Sequence, residues 1–194
     1  MPGEFFTLSL QAVVKEKGVE GTNEILSTFS CSINEDIEVF LKDKAMGFSD
    51  QRIARTHLVL CDSGKSFELL GYYTLANKIL TVSPEGLSNT VKRKFERFGI
   101  LDSTTKLYNV ATPLIAQLGK NYSNGLNHII TGGELLKSAC DKIVAVQNEI
   151  GGALIYLECD NRPALLDFYQ KNGFRIMERG MPSDKNLVQL VRFL

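Results

Sequence analysis

The chain reads as a mixed α/β protein, and three observations carry that reading. Ala153–Cys159 is a nearly continuous apolar run, as expected of a strand covered on both faces. It is preceded by a long amphipathic helical pattern from Glu134 and followed by a short one from Pro163. Upstream, two strand-like runs flank turn chemistry at Asp62-Ser63-Gly64-Lys65. Helix and strand alternating in this way favour one mixed sheet with right-handed crossovers.

The elements follow in order. Phe5–Val14 alternates loosely and is expected to form a first strand, punctuated afterwards by Gly18 and Gly21. Ile37, Phe40, Leu41 and Ala45 recur at helical spacing, with Asn34 placed to cap the first turn. Thr56–Cys61 and Ser66–Leu75 form the hairpin. Ser83-Pro84 is expected to open a helix with the stripe Leu87, Val91, Phe95 and Phe98, ended by Gly99. Residues 100–110 read as a loop and Thr112–Gly119 as a strand. From Glu134 a helix carries Leu135, Leu136, Ala139, Ile143, Val146 and Ile150 on its apolar face, until Gly151-Gly152 breaks it. Asn161 and Pro163 start a short helix that ends at Gly173, and Phe174–Glu178 and Leu187–Leu194 read as two last strands.

Composition narrows the class. A chain of 194 residues with 44% hydrophobic and 23% charged residues is ordinary for a globular protein. Basic and acidic residues balance at 22 each, so no whole-molecule attraction to nucleic acid or anionic membrane is implied. The cysteines, Cys31, Cys61, Cys140 and Cys159, have no CxxC spacing, and neither zinc nor a redox pair is expected. No apolar run reaches the roughly 18 residues of a membrane helix. A cytoplasmic protein with reduced thiols, and no membrane partner, is the expectation.

One stretch carries more than pattern. Glu158-Cys159-Asp160-Asn161, through Asp167-Phe168-Tyr169-Gln170-Lys171-Asn172-Gly173-Phe174, resembles the closing motif of the GCN5-related N-acetyltransferases. Gly132-Gly133-Glu134-Leu135-Leu136 is similar to the start of that family's pyrophosphate-binding helix. Phe29-Ser30-Cys31, Phe40-Leu41 with Ala45, Ala54-Arg55-Thr56, and Gly71-Tyr72-Tyr73-Thr74-Leu75-Ala76 resemble one branch, which contains the toxins of toxin–antitoxin pairs that acetylate aminoacyl-tRNA. The order and spacing of these pieces, from about Phe29 to Phe174, set the match apart from chance. The phosphate loop departs from it. With Gly132 as the last signature position, Asn127 stands first and Ile130 occupies the place of the inner glycine.

The resemblance implies a mostly antiparallel central sheet with helices on both faces. It also implies one domain over residues 1–194 with a helical insertion at about 77–111. Acetyl-CoA would be the cosubstrate, with no metal, and a primary amine the acceptor: a small amine, a protein amine or aminoacyl-tRNA. A homodimer and an antitoxin partner stay open. A second class, a binding or regulatory protein that kept the fold and lost catalysis, is motivated by the altered loop.

Site residues follow from the resemblance and from chemistry together. Phosphates want backbone N–H groups at a helix start, which assigns Asn127, His128, Ile129, Ile130, Thr131, Gly132 and Gly133 to the pyrophosphate. Without the flanking matches, the glycine pair would only let a helix start tightly. The strand ending Gln117-Leu118-Gly119 resembles the one that pairs with pantetheine. Tyr169 is the implied catalytic group, stabilising or protonating the leaving thiolate. Free proton donation from a tyrosine to a thiolate is uphill by about 2 kcal/mol, so a hydrogen-bond donor or a lowered pKa is required. Its competing role is an aromatic anchor for its helix. Asn161 combines a helix cap with a cofactor contact. No general base stands out; Glu158, His57 and His128 qualify by residue type alone. Lys92, Arg93, Lys94 and Arg97 give one helix a cationic face, for which a solvated surface is the simpler reading.

Overall fold

The structure is a computed structural model that describes residues 5–64, 66–177 and 187–194. Its contacts divide the chain into two compact units, one of residues up to Ala76 with Ala116–Asp141, the other of Asn77–Ile115 with Lys142–Leu194. Eight strands share one sheet, in the order β1-β2-β3-β5-β6-β8-β7 with β4 on β5.

In the first unit, β1 (Phe5–Ser9) pairs antiparallel with β2 (Ala54–Asp62), which pairs antiparallel with β3 (Phe67–Val82). The first strand is shorter than its alternation suggests. Ser9 Oγ accepts from the Ala12 amide at 3.2 Å and caps helix α1 (Leu10–Ser27), so residues 10–14 are helical rather than extended. Gly18 kinks that helix at φ 70°, a conformation that costs glycine nothing. Asn34 caps α2 (Glu35–Val39) as its position predicted, its Oδ1 accepting from the Asp36 amide. A π-helical turn at Phe40–Lys44 then leads into α3 (Ala45–Asp50). Leu10, Leu26, Phe29, Leu41, Leu58 and Tyr72 fill the core beneath them.

A polar hub inside this unit has no sequence signature. Asn121 is fully buried. Its Oδ1 accepts from the amides of Ser30 and Ser123 and from the Ser123 hydroxyl, while its Nδ2 donates to the carbonyls of Thr28 and Leu69. Five bonds from one side chain tie the loop after α1 to the residues that follow β5 (Tyr108–Lys120).

In the second unit, helix α4 spans Asn89–Phe98 and is capped by Ser88, whose Oγ accepts from the Val91 amide. It does not begin at Ser83-Pro84, because the Ser83 hydroxyl takes the Glu85 amide in a local turn. Residues 100–110 are not all loop, since β4 (Ile100–Leu101) pairs with Asn109 and Tyr108 at the start of β5. Helix α5 (Gly132–Ile150) is the crossover to β6 (Leu154–Asp160), and β5 pairs with β6 in parallel at Leu114–Tyr156 and Ile115–Leu157. After α6 (Pro163–Lys171), β7 (Arg175–Ile176) and β8 (Leu187–Phe193) complete an antiparallel edge against β6. Glu178, assigned by pattern to the seventh strand, lies outside the described residues.

The apolar face of α5 also differs from expectation at its end. Val146 and Ile150 are 45% and 77% exposed, whereas Gln147 is buried and donates through Nε2 to the Leu154 carbonyl at 3.0 Å. Cys140, Ile143 and Gln147 continue the buried stripe at three- and four-residue spacing, which ordinary hydrophobic matching cannot see through a glutamine.

Candidate active site

Three pieces of the predicted site lie in the first unit, on β5, the loop after it and the start of α5. Thr131 and Glu134 form a capping box there. The Glu134 amide donates to Thr131 Oγ1 at 3.1 Å, and Glu134 Oε2 accepts from the Thr131 amide and hydroxyl, each at 2.7 Å. Those bonds hold the Glu134 carboxyl below the usual carboxylate range. The amides of Gly132 and Gly133 lie in the first helical turn, where no intrahelical partner exists. Backbone donors and the positive end of a 19-residue helix suit an anionic group.

Before that turn, Asn127 and His128 close a 3₁₀ segment (Ser123–His128), with His128 exposed and Asn127 half-buried. Ile129 continues in a helical conformation. Ile130 has no positive φ and is 1% exposed, so the residue at the inner glycine's place serves as a core side chain. On β5, Gln117 and Leu118 are half-buried and Gly119 is buried. Gly119 has a packing reason to be glycine, because a Cβ there would collide with Ile37 and crowd Tyr72 and Phe29. Gly71 faces it, and a Cβ at Gly71 would stand 2.7 Å from the Gly119 carbonyl oxygen.

The remaining pieces lie in the second unit. Tyr169 sits in the last turns of α6, its ring edge-on to Phe168 (5.0 Å) and Phe174 (5.9 Å). Two aromatic contacts fix the ring, and the hydroxyl makes no hydrogen bond among the described residues. Burial, and secondarily the Cys159 thiol, push that hydroxyl well above the ordinary tyrosine value, so it keeps its proton. Cys159 itself is pushed up to about 11 by burial. Asn161 is exposed and does not cap α6; Arg162 holds the cap position, without a side-chain bond, and Pro163 opens the helix. Proline at the first position has no amide to satisfy and pre-sets the helical φ, so the helix starts there with one orphan donor fewer.

Sequence reasoning named Glu158 by residue type alone and did not see that it is the most connected charge in this unit. Glu158 on β6 accepts from the Tyr156 hydroxyl and from Lys78 Nζ at 3.1 Å on both oxygens. Burial pushes its carboxyl up, but the bonds from Tyr156 and Lys78 outweigh burial and hold it below the usual range. A carboxylate so held is a poor general base. Tyr156, buried beside that charge, is pushed up strongly. Alternation in β6 puts Tyr156 and Glu158 on one face, a pairing visible in the sequence once the strand is placed. His57 is a buried β2 residue stacked on Tyr73 at 5.0 Å, and His128 is exposed. On α4, Lys94 lies over the Phe193 ring at 4.4 Å and Arg97 over Phe98 at 5.4 Å, so part of the cationic face is spent on aromatic packing.

A mixed, mostly antiparallel eight-stranded sheet with this element order is the GCN5-related N-acetyltransferase fold. Solved structures of toxins share it over nearly the whole chain. A KacT mutant matches at 18% identity and a TM-score of 0.64, covering 96% of this chain and 94% of KacT. AtaT complexed with acetyl-methionyl-tRNAfMet matches at 17% and 0.66, covering 98% and 94%. The AtaTR structure bound with acetyl-CoA matches at 17% and 0.60, covering 97% and 93%. No family model matches the sequence, and no curated protein does. Among the described residues no group of side chains could hold a metal ion, and no helix is long and apolar enough to cross a membrane.

Proposed function

We propose that the chain is an acetyl-CoA-dependent N-acetyltransferase acting on a primary amine, built as a single domain over residues 1–194 with 77–111 inserted. The observation that carries the reading is Tyr169: a fixed, protonated hydroxyl with no hydrogen bond among the described residues, at the position where the sequence resembles the family's acid. The open amides of Gly132 and Gly133 support it, as does a fold shared with the acetyl-CoA-bound AtaTR structure.

In the reaction, the amine's lone pair attacks the thioester carbonyl, a C–N bond forms, the C–S bond breaks, and nitrogen sheds a proton. Gly132 and Gly133 would hold the pyrophosphate by their amides, and Thr131 would join them when Glu134 releases it. Ile130 supplies core packing and one further loop amide, flanked by Asn127, His128 and Ile129. Gln117, Leu118 and Gly119 would offer strand backbone to pantetheine, and Asn161 a contact to the same molecule. Tyr169, its pKa raised, acts by hydrogen bonding to the departing sulfur and keeps its proton; transfer would be still further uphill than for a free tyrosine.

The acceptor is a small amine, a protein amine or the α-amine of aminoacyl-tRNA. An α-amine, with a pKa of about 7.7–8.0, keeps roughly a tenth or more of its molecules neutral at pH 7, far more than a lysine-like amine, and can lose its proton to solvent without a base, which suits a protein whose best-placed carboxylate is tied up. The AtaT complex with acetyl-methionyl-tRNAfMet gives tRNA further support, and an antitoxin or a second copy would be the accompanying partner. A cytoplasmic location goes with that reading. The competing reading is a non-catalytic GNAT-fold binding or regulatory protein, favoured by the buried Ile130 and by the Glu134 carboxylate on the Thr131 amide.

Calorimetric titration of acetyl-CoA into the purified protein separates the two. Micromolar binding, followed by acetylation of an amine or aminoacyl-tRNA, is expected. No binding at millimolar concentration would leave the non-catalytic reading.

A further inference from the structure

An acetyltransferase needs a place for the acceptor nitrogen, and Lys78 shows what a primary ammonium meets in this fold. Its Nζ lies 3.1 Å from both oxygens of Glu158 and 5.7 Å from the centre of the Tyr156 ring. A carboxylate grip combined with an aromatic ring is a recognition pattern for alkylammonium groups.

The two partners differ in how firmly they are held. Glu158 keeps 17% of its side-chain exposure and is tied down by the Tyr156 hydroxyl. Lys78 is 45% exposed on a flexible stem, so it can leave at little cost. Beside them the Gln189 side-chain oxygen is buried with no hydrogen-bond partner among the described residues. A buried acceptor in this state calls for a donor. All four residues belong to the second unit.

We propose that Glu158, with Tyr156 and Gln189, forms the subsite that receives the acceptor as a primary ammonium, and that Lys78 fills it in the free protein as an internal stand-in. The inference rests on the acetyltransferase reading above. Glu158 is then a binding and orienting group: it captures the charged amine, and the nitrogen gains its attacking lone pair only after releasing a proton to solvent, because the carboxylate is held too acidic to take it. Alcohols and thiols lack the charge it selects, and a quaternary amine lacks the N–H groups that both oxygens and Gln189 accept.

Calorimetric binding of phenethylamine to the full chain without acetyl-CoA, at about pH 8 where alkyl amines stay charged, tests this. Lys78→Met keeps the apolar stem and vacates the carboxylate; it should bind the amine about tenfold more tightly than the wild type. Glu158→Gln keeps the shape and removes the charge; it should bind at least about tenfold more weakly than Lys78→Met. Glu158→Asp should retain part of the affinity, and N-acetylphenethylamine should not bind any of them. Lys78→Met binding no better than the wild type, or amide and amine binding alike, would overturn the subsite. Because acetyl-CoA is absent, these results stand apart from its own titration: amine binding without acetyl-CoA binding defeats the enzyme reading, and the reverse defeats only the role of Glu158.

Discussion

Thr131 and Glu134 hold each other at the start of α5, the carboxylate of one taking both the amide and the hydroxyl of the other at 2.7 Å. The same amide is one the pyrophosphate would use. Glu134 is a helix cap, and on the acetyltransferase reading it is also a negative charge that an incoming phosphate would have to displace. Its folded-state pKa is depressed, so its stabilisation is fully present above the unfolded value and is lost as pH falls through the folded one. Thr131→Ala should cost about 1 kcal/mol in urea unfolding at neutral pH. Glu134→Gln should flatten the stability loss below about pH 4.5 and tighten acetyl-CoA binding in calorimetry. Weaker binding by Glu134→Gln would show that the carboxylate does not compete.

Tyr169→Phe keeps both aromatic contacts and deletes the hydroxyl. Turnover should fall about 10²–10⁴-fold, while acetyl-CoA affinity stays within about twofold. Equal turnover would remove Tyr169 from the mechanism. On the toxin reading, expression of the wild type arrests translation and this variant relieves the arrest.

Asn121→Leu should be among the most damaging single changes outside the candidate site. It leaves the amides of Ser30 and Ser123 and the carbonyls of Thr28 and Leu69 without their partner. Each orphaned buried group costs about 1–3 kcal/mol, without strict additivity, so a loss of about 3 kcal/mol is expected in urea unfolding. A loss under about 1 kcal/mol would mean that water replaces the side chain.

Ile130→Ala tests whether the isoleucine is a defective glycine or a core residue. With 1% exposure it should destabilise by about 2–5 kcal/mol and leave acetyl-CoA affinity unchanged. Tighter binding would mark the isoleucine as the element that impairs the loop.

Much of the fold was legible because its signals are local. Asn34 capped where its side chain could reach, the Asp62–Gly64 turn followed from turn chemistry, and the apolar run 153–159 became a buried strand. Misreadings came where two local signals competed. Ser9 began a helix inside an apparent strand, and Ser88 rather than Ser83 capped α4, because either serine suits a cap and the Ser83 hydroxyl is taken by its own local turn. Asn161 looked like a cap, but the helix starts one residue later, with Arg162 at the cap position and Pro163 first in the helix.

By itself, the sequence determined the alternation of helices and strands, the tyrosine after the sixth strand and the glycine pair at the start of α5. These depend on periodicity and on residues a few positions apart. Tertiary structure alone decided the bonds of Asn121 to residues about 50 and 90 positions away, and of Glu158 to Lys78, 80 positions away. Hydrogen bonds and ion pairs act over a few ångströms of space, and no pattern along one chain encodes which distant residues folding will bring that close.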